Sequence, residues 1–274
     1  MDSGLWGNAT WTELEALGLG CRGAGGSTPT PHGSHVVALL PVGAVEAHGP
    51  PLPQITDVII AAPAAQAARP GLRAQGRHPV ILPPLAYTAA PFAAGFPGTI
   101  SVRPATFAAL LADVAASLER QGVAALVVVN AHLDPAHLGA ITDVARPSGA
   151  ADARAAAMPV IHPALTRRRW ASRLTPEFRS GACHAGCYET SVVMAAAPEL
   201  VRDEVRLGLA ENPASLSVAI RAGAATFEEA GVSEAYCGDP AAATREEGGR
   251  TVEILARIVV DAVAERLGQP EAAP

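Results

Sequence analysis

Two apolar runs dominate the pattern of the chain. Residues 35–41 and 123–129 are stretches of Val, Leu and Ala, broken only by His35 and Pro41 at the ends of the first, with none of the alternation of a half-exposed strand. Such runs are what strands buried on both faces of a parallel sheet look like. Weaker runs at 78–85 and 158–162 predict two further strands. Between them the period changes to that of a helix. Helical spacing covers 57–68, ending before Pro70-Gly71, and 106–121, ended by Gly122. It covers 135–145, where Pro135 suits a first turn, and 189–197, stopped near Pro198. A long closing helix is predicted over 240–267. Residues 163–183 read as a loop, and 214–235 are ambiguous and compatible with a strand. Residues 1–33 read as an irregular lead-in, with a Gly/Ser/Thr/Pro-rich loop at 23–34.

Strands alternating with helices predict an α/β fold with a mostly parallel central sheet and helices on both faces. The expected organisation is one three-layer α/β/α domain over 1–274, with no internal repeat or boundary.

The polar residues that interrupt this pattern collect where the strands end. The first strand runs into Glu46-Ala47-His48, and Asp57 follows nine residues after His48. Positions two apart in an extended chain share a side, so Glu46 and His48 point together. The 123–129 strand runs into Asn130-Ala131-His132-Leu133-Asp134, which repeats that spacing. Ligands in open α/β sheets gather at the carboxyl ends of strands. A third run, His184-Ala185-Gly186-Cys187-Tyr188-Glu189, places small residues around an imidazole and a carboxylate at a helix start. Carboxylate with imidazole is a ligand set for Zn, Mn or Fe. An isolated E-x-H is ordinary surface sequence, and Asp134 taken alone reads equally as a helix cap. The case rests on three pieces in similar settings.

Composition narrows the chemistry. The chain has 274 residues, 49% of them hydrophobic, and a net charge of −6. Its basic residues are scattered except for Arg167-Arg168-Arg169 with Trp170 and Arg173, read as a solvated or subunit-contact face. No nucleic-acid partner is expected. All 20 basic residues are Arg, which excludes a Schiff-base lysine and a P-loop. No apolar run reaches the roughly 20 residues of a membrane helix, and the N-terminus has no secretory pattern. A cytoplasmic protein with reduced Cys21, Cys183, Cys187 and Cys237 is expected.

The motifs resemble those of the creatininase (creatinine amidohydrolase) family. The resemblance lies in P-V-G-x-x-E-x-H-G-P-x-L-P-x-x-T-D at 41–57 and in Phe96-Pro97-Gly98-Thr99-Ile100-Ser101. It continues in Asn130-x-His132, in the 184–191 run, in Gly238-Asp239-Pro240 and in the opening Thr10-Trp11-x-Glu13. It implies two divalent ions, zinc first and manganese or iron as alternatives. Asp57 would bridge them, Glu46 and His132 would bind one, and His48 and Glu189 the other. Creatininase has a glutamate at the position of Asp134, which implies that Asp134 is a further ligand. His184 would be a proton donor or substrate-orienting group, with Glu189 beside it at the catalytic centre. The chain departs from the family at Pro51, where histidine is usual, and at Leu133-Asp134-Pro135, where many relatives have Gly-Gly-Asn.

The activity implied is cleavage of an amide C–N bond by a metal-bridged hydroxide. Substrates known in the family are cyclic amides, formamides and the end of a short peptide. A homo-oligomer, a hexamer by resemblance, is also implied. Gly98 and Thr99, in a loop expected over the pocket, and Trp170 are candidate substrate contacts. Two other classes remain open: a metal-independent hydrolase using Cys187 or Cys183 with His184, and a non-catalytic binding or assembly protein on the same fold.

Overall fold

The structure is a computed structural model. It describes residues 4–20, 35–146 and 158–268, so Cys21 and the loop expected at 23–34 lie outside the described residues. The chain begins with a short helix, α1 (Trp11–Glu15). There follow β1 (Val36–Val42), α2 (Thr56–Ala74), β2 (His78–Ile81), α3 (Pro104–Arg120), β3 (Ala125–Asn130), α4 (Pro135–Ala145) and β4 (Val160–Ile161). The second half adds α5 (Arg168–Ala171), α6 (Pro176–Ser180), α7 (Cys187–Ala196), α8 (Asp203–Leu207), α9 (Leu216–Arg221) and α10 (Arg245–Leu267).

The four strands form one parallel sheet in the order β2-β1-β3-β4. Its two centre strands are the two continuous apolar runs. Every residue of β1 and β3 is buried, and alternate side chains enter different cores. Val37, Leu39, Ala125 and Val127 face one core, which α2, α7 and α10 close. Ala38, Leu40, Leu126 and Val128 face the other, closed by α3 and α4. Burial of both faces explains the absence of alternation, and the result is the helix–sheet–helix layering expected.

Several elements depart from the pattern. Helix α2 runs through Pro63 and Pro70 to Ala74 instead of stopping before Pro70. Packing accounts for this: Leu72 is fully buried, and Gly71 lies so close to α10 that a Cβ there would come within 2.8 Å of Val260. Strand β2 ends at Ile81, short of 85, because Pro83 and Pro84 have no N–H for the ladder. Leu85 nevertheless still donates to the Pro41 carbonyl at 3.0 Å. The lead-in is not wholly irregular, since Thr10 and Glu13 form a reciprocal capping box on α1. The closing helix starts at Arg245. Asp239 caps a separate 3-10 turn at Pro240–Ala242, and Thr244 then caps α10. The 163–183 stretch contains α5 and α6, and the ambiguous 214–235 segment holds α9 and, among the described residues, no strand. None of the described helices is long and apolar enough to cross a membrane.

Candidate metal centre

The carboxyl ends of β1 and β3 lie side by side in the middle of the sheet. Chain leaving β1 carries Glu46 and His48, and chain leaving β3 carries His132. Asp57 joins them from the first turn of α2. Gly43 permits this approach, because a Cβ there would fall 2.4 Å from the Asp57 Cβ. The Ala44 N–H donates to Asp57 Oδ2 at 2.9 Å and fixes the carboxylate. Glu189 enters from the first turn of α7, its Oε2 accepting from the Ala185 N–H at 2.7 Å. Ala185 has φ of +52°, a left-handed conformation unusual for a residue with a Cβ, and that turn aims its N–H at Glu189.

These five side chains are almost wholly buried and form two clusters that share Asp57. Asp57 Oδ1 lies 3.3 Å from His48 Nε2, and Oδ2 lies 3.2 Å from His132 Nδ1. Glu46 Oε1 is 3.1 Å from His132 Nδ1, and Glu189 Oε2 is 3.6 Å from His48 Nε2. Each imidazole is oriented through its other nitrogen. His48 Nδ1 lies 3.1 Å from the Glu46 carbonyl oxygen, and His132 Nε2 lies 2.9 Å from that of Ala89. A carbonyl only accepts, so those nitrogens carry the hydrogens and the opposite ones face the carboxylates. His48 Nε2 is buried and makes no aligned hydrogen bond.

The electrostatics follow from crowding without water. Burial disfavours charge on every one of these groups. For His48 the carboxylates of Asp57, Glu189 and Glu46 outweigh it and lift the pKa to about 10. For His132, Glu46 and Asp57 do the same. In turn the Asp57 carboxyl is held well below its usual range by His48 and His132, and Glu46 is lowered mainly by His132. At Glu189 burial wins over the pull of His48 and raises the pKa to about 8. The orphaned Nε2 and an Asp57 that turns one oxygen to each cluster make a donor set that fits metal cations.

His184 sits at the edge of this group. Its Nε2 is 2.8 Å from the Ala47 carbonyl oxygen, its Nδ1 is 3.9 Å from Glu46 Oε1, and its ring stacks at a tilt on those of His48 and Phe227. Burial, helped by His48, lowers its pKa to about 4. Its Nε2 is tied to the Ala47 carbonyl, which leaves Nδ1 turned toward Glu46 and the centre. Glu46, His48 and His184 also form a third triad with metal-ligand spacing.

The remaining expectations fare differently. The carboxylate of Asp134 caps α4, with Oδ1 accepting from the Ala136 and His137 N–H groups and Oδ2 from Phe92. It lies outside the three triads, because a side chain this short reaches the helix start that follows it. Gly98 and Thr99 do not line the cavity over the centre. Thr99 instead accepts from the Ala47 N–H at 3.1 Å, steadying the residue whose carbonyl holds His184. Trp170 is buried in the core on the α10 side, with the Arg169 guanidinium 4.0 Å above its ring. Arg169 and Arg173 pair with Glu265 and Asp261 of α10. Neither thiol beside His184 is activated. Burial pushes Cys183 well above the thiol range and Cys187 to about 12, and Cys187 contacts Ser191 and Glu247.

Two residues support the centre from behind, and one of them, Glu177, escaped the sequence reading. His137 Nε2 lies 2.8 Å from Asn130 Oδ1, and Asn130 Nδ2 donates to the His132 carbonyl at 2.6 Å. Glu177 of α6 has one oxygen accepting from the Tyr188 N–H at 2.8 Å. The other accepts from Cys187 at 3.0 Å and Asp239 at 2.8 Å. It caps the start of α7, two residues before Glu189, and clamps the Gly238-Asp239 turn. Gly186 and Gly238 are required there, since a Cβ on either would strike the Glu177 carboxylate. The glycines were the available signal, but their partner lay in a stretch read as loop.

The centre forms the floor of a cavity of about 410 Å³, walled by Phe92, Leu138, Leu216, Ile220 and Phe227. Comparison with known proteins places the chain among relatives. The family model for creatinine amidohydrolase (creatininase) matches residues 30–263. A mycofactocin precursor peptide peptidase from Mycolicibacterium smegmatis is 33% identical over 222 residues, covering 80% of this chain and 81% of that protein. A zinc–zinc type creatininase variant superposes with a TM-score of 0.70 at 23% identity, covering 97% of this chain and 99% of that one. A manganese creatininase does so with a TM-score of 0.67 at 21% identity and the same coverage.

Proposed function

This chain belongs to the creatininase (creatinine amidohydrolase) family of hydrolases, and from that premise we propose that it is a two-metal amidohydrolase that cleaves an amide bond at the end of a short peptide. The observation that carries the reading is Asp57, which turns one oxygen to each of two buried clusters. Glu46, Asp57 and His132 would hold one divalent ion, and His48, Asp57 and Glu189 the other. Zinc is the first candidate and manganese or iron the alternatives. Ions bound there supply Lewis acidity toward a carbonyl and a water-derived nucleophile at neutral pH.

The chain's own residues do the rest. The Ala89 and Glu46 carbonyls fix the two imidazoles, and the Ala44 and Ala185 N–H groups fix two of the carboxylates. His184, its Nε2 held by the Ala47 carbonyl, turns Nδ1 toward the centre, where it would orient the substrate or pass a proton to the leaving group. The apolar wall excludes water and takes an apolar side chain beside the scissile bond. A peptide end suits this volume, which lies in the range of drug-sized ligands and exceeds the needs of a small cyclic amide. The peptide peptidase among the relatives supports the same substrate class.

The test combines metal analysis with a peptide screen. Wild type is expected to hold close to two equivalents of metal and to release fragments from the ends of short peptides, read by mass spectrometry. Asp57→Ala should lose both ions and all activity, because one bridging carboxylate serves both. Wild type that takes up no metal, or an Asp57→Ala protein with full metal content, would refute the reading.

A further inference from the structure

The cavity contains two groups that the metal centre leaves unused. Arg179 of α6 and Arg221 at the end of α9, both exposed, line it together with the carboxylates of the floor. The chain has 26 acidic residues against 20 basic. Among the described residues Arg146, Arg169, Arg173, Arg206 and Arg257 each pair with a carboxylate, while others on the surface, Arg103 and Arg202 among them, do not. Arg179 and Arg221 have no ion-pair partner among the described residues, although both stand over a cavity floored by Glu46, Asp57 and Glu189.

The two arginines ride on one frame. The Ser215 hydroxyl donates to the Ser180 carbonyl at 2.7 Å, and the Leu216 N–H donates to that of Gly181 at 2.9 Å. Gly181, at φ +86°, lets the two segments meet, because a Cβ there would fall 2.2 Å from the Ser217 hydroxyl. At the other end of α6, Glu177 ties the helix to α7. Leu216 and Ile220, on the same short helix as Arg221, face the cavity with it. A permanently charged planar fork beside an apolar wall is suited to a carboxylate, which it can bind through two parallel N–H bonds.

We infer that Arg179 and Arg221 form a carboxylate-recognition subsite, so that the substrate carries a carboxylate within reach of the amide to be cut. This rests on the peptide-amidohydrolase reading and narrows it. The carboxylate belongs either to the free C-terminus of the peptide or to an acidic side chain, and both present the same group.

Calorimetric binding to the metal-loaded enzyme tests this without requiring turnover. The probes are N-acetyl-Leu-Phe with a free carboxylate, its carboxamide, and N-acetyl-Glu-Phe carboxamide. One acid-bearing probe should bind about tenfold tighter than the neutral carboxamide, the scale of one added charge-assisted hydrogen-bond pair. Which probe it is names the source. The preference should vanish in R179Q/R221Q and fall only partly in R221K, which keeps the charge and loses the fork. Absence of any preference in wild type would overturn the inference. So would a preference undiminished in R179Q/R221Q, which would put the carboxylate on the metals. Metal content and peptide hydrolysis are scored separately, so failure of the amidohydrolase reading is distinguishable from failure of the subsite.

Discussion

Replacing Glu177 with glutamine isolates the part a single interior carboxylate plays in assembling the centre. The carboxylate accepts three backbone N–H bonds, one at Oε1 from Tyr188 and two at Oε2 from Cys187 and Asp239. Glutamine is nearly isosteric and keeps only one acceptor oxygen. In its better orientation it retains the two bonds to Cys187 and Asp239 and sets an NH2 donor against the Tyr188 donor. A hydrogen bond to a charged group contributes about 1.5–3 kcal/mol and a neutral one about 0.5–1.5. One charged bond is thus lost outright and two are reduced to neutral ones, a total of roughly 3–5 kcal/mol. These bonds are partly buried, so solvent competes, and about 2–3 kcal/mol is the expected cost. The positive end of α7 also loses its compensating charge, about 0.3–1 kcal/mol more. Denaturant unfolding of metal-loaded Glu177→Gln should show that loss of stability. Because α7 carries Glu189, the proposed two-metal centre should lose the ion assigned to His48 and Glu189 before the one assigned to Glu46 and His132, read by metal analysis. A loss below about 0.5 kcal/mol with full metal content would refute the reasoning, since that is the scatter of ordinary surface substitutions.

Two further outcomes test other parts of the structure. Asp134→Ala removes the cap of α4 and should cost about 1–2 kcal/mol while leaving metal content unchanged; loss of an ion would show Asp134 to be a ligand after all. His162 is lowered from 6.5 to about 4, by burial first and by Arg167 second. Its folded pKa lies below its unfolded one, so the unfolded chain binds the proton first. Stability from this residue is therefore complete above pH 6.5 and is lost as pH falls toward 4. A shift of this size corresponds to at most about 3 kcal/mol, and partial exposure of the residue reduces that to about 1–2. His162→Leu should flatten the acid limb of a stability–pH profile in that window, and an unchanged limb would rule the residue out.

The sequence by itself determined the sheet and brought forward the candidate ligands that the fold gathers. Residues 36–42 and 125–130 are apolar on both faces because the parallel strands they form are covered on both faces, and that burial is written residue by residue. Glu46, His48, Asp57, His132 and Glu189 stood out because side chains at the ends of such strands and at the adjoining helix starts have nowhere to go but one site. What the sequence could not decide depends on contacts between distant residues. Asp134 has a ligand's chemistry and a cap's geometry, and only its position against Phe92 and Ala136 shows which it uses in the fold. Trp170 suits a pocket wall or a core equally by its sequence, and the packing of α10 places it in the core. Pro70 ends a helix by local rules, yet α2 continues because its far end packs on α10. Glu177 meets Cys187, Tyr188 and Asp239, up to 62 residues away, through backbone N–H groups that every residue type but proline carries. Hydrophobic period and motif record whether a residue is buried and what chemistry it offers. Which donor meets which acceptor is set when the helices close over the sheet.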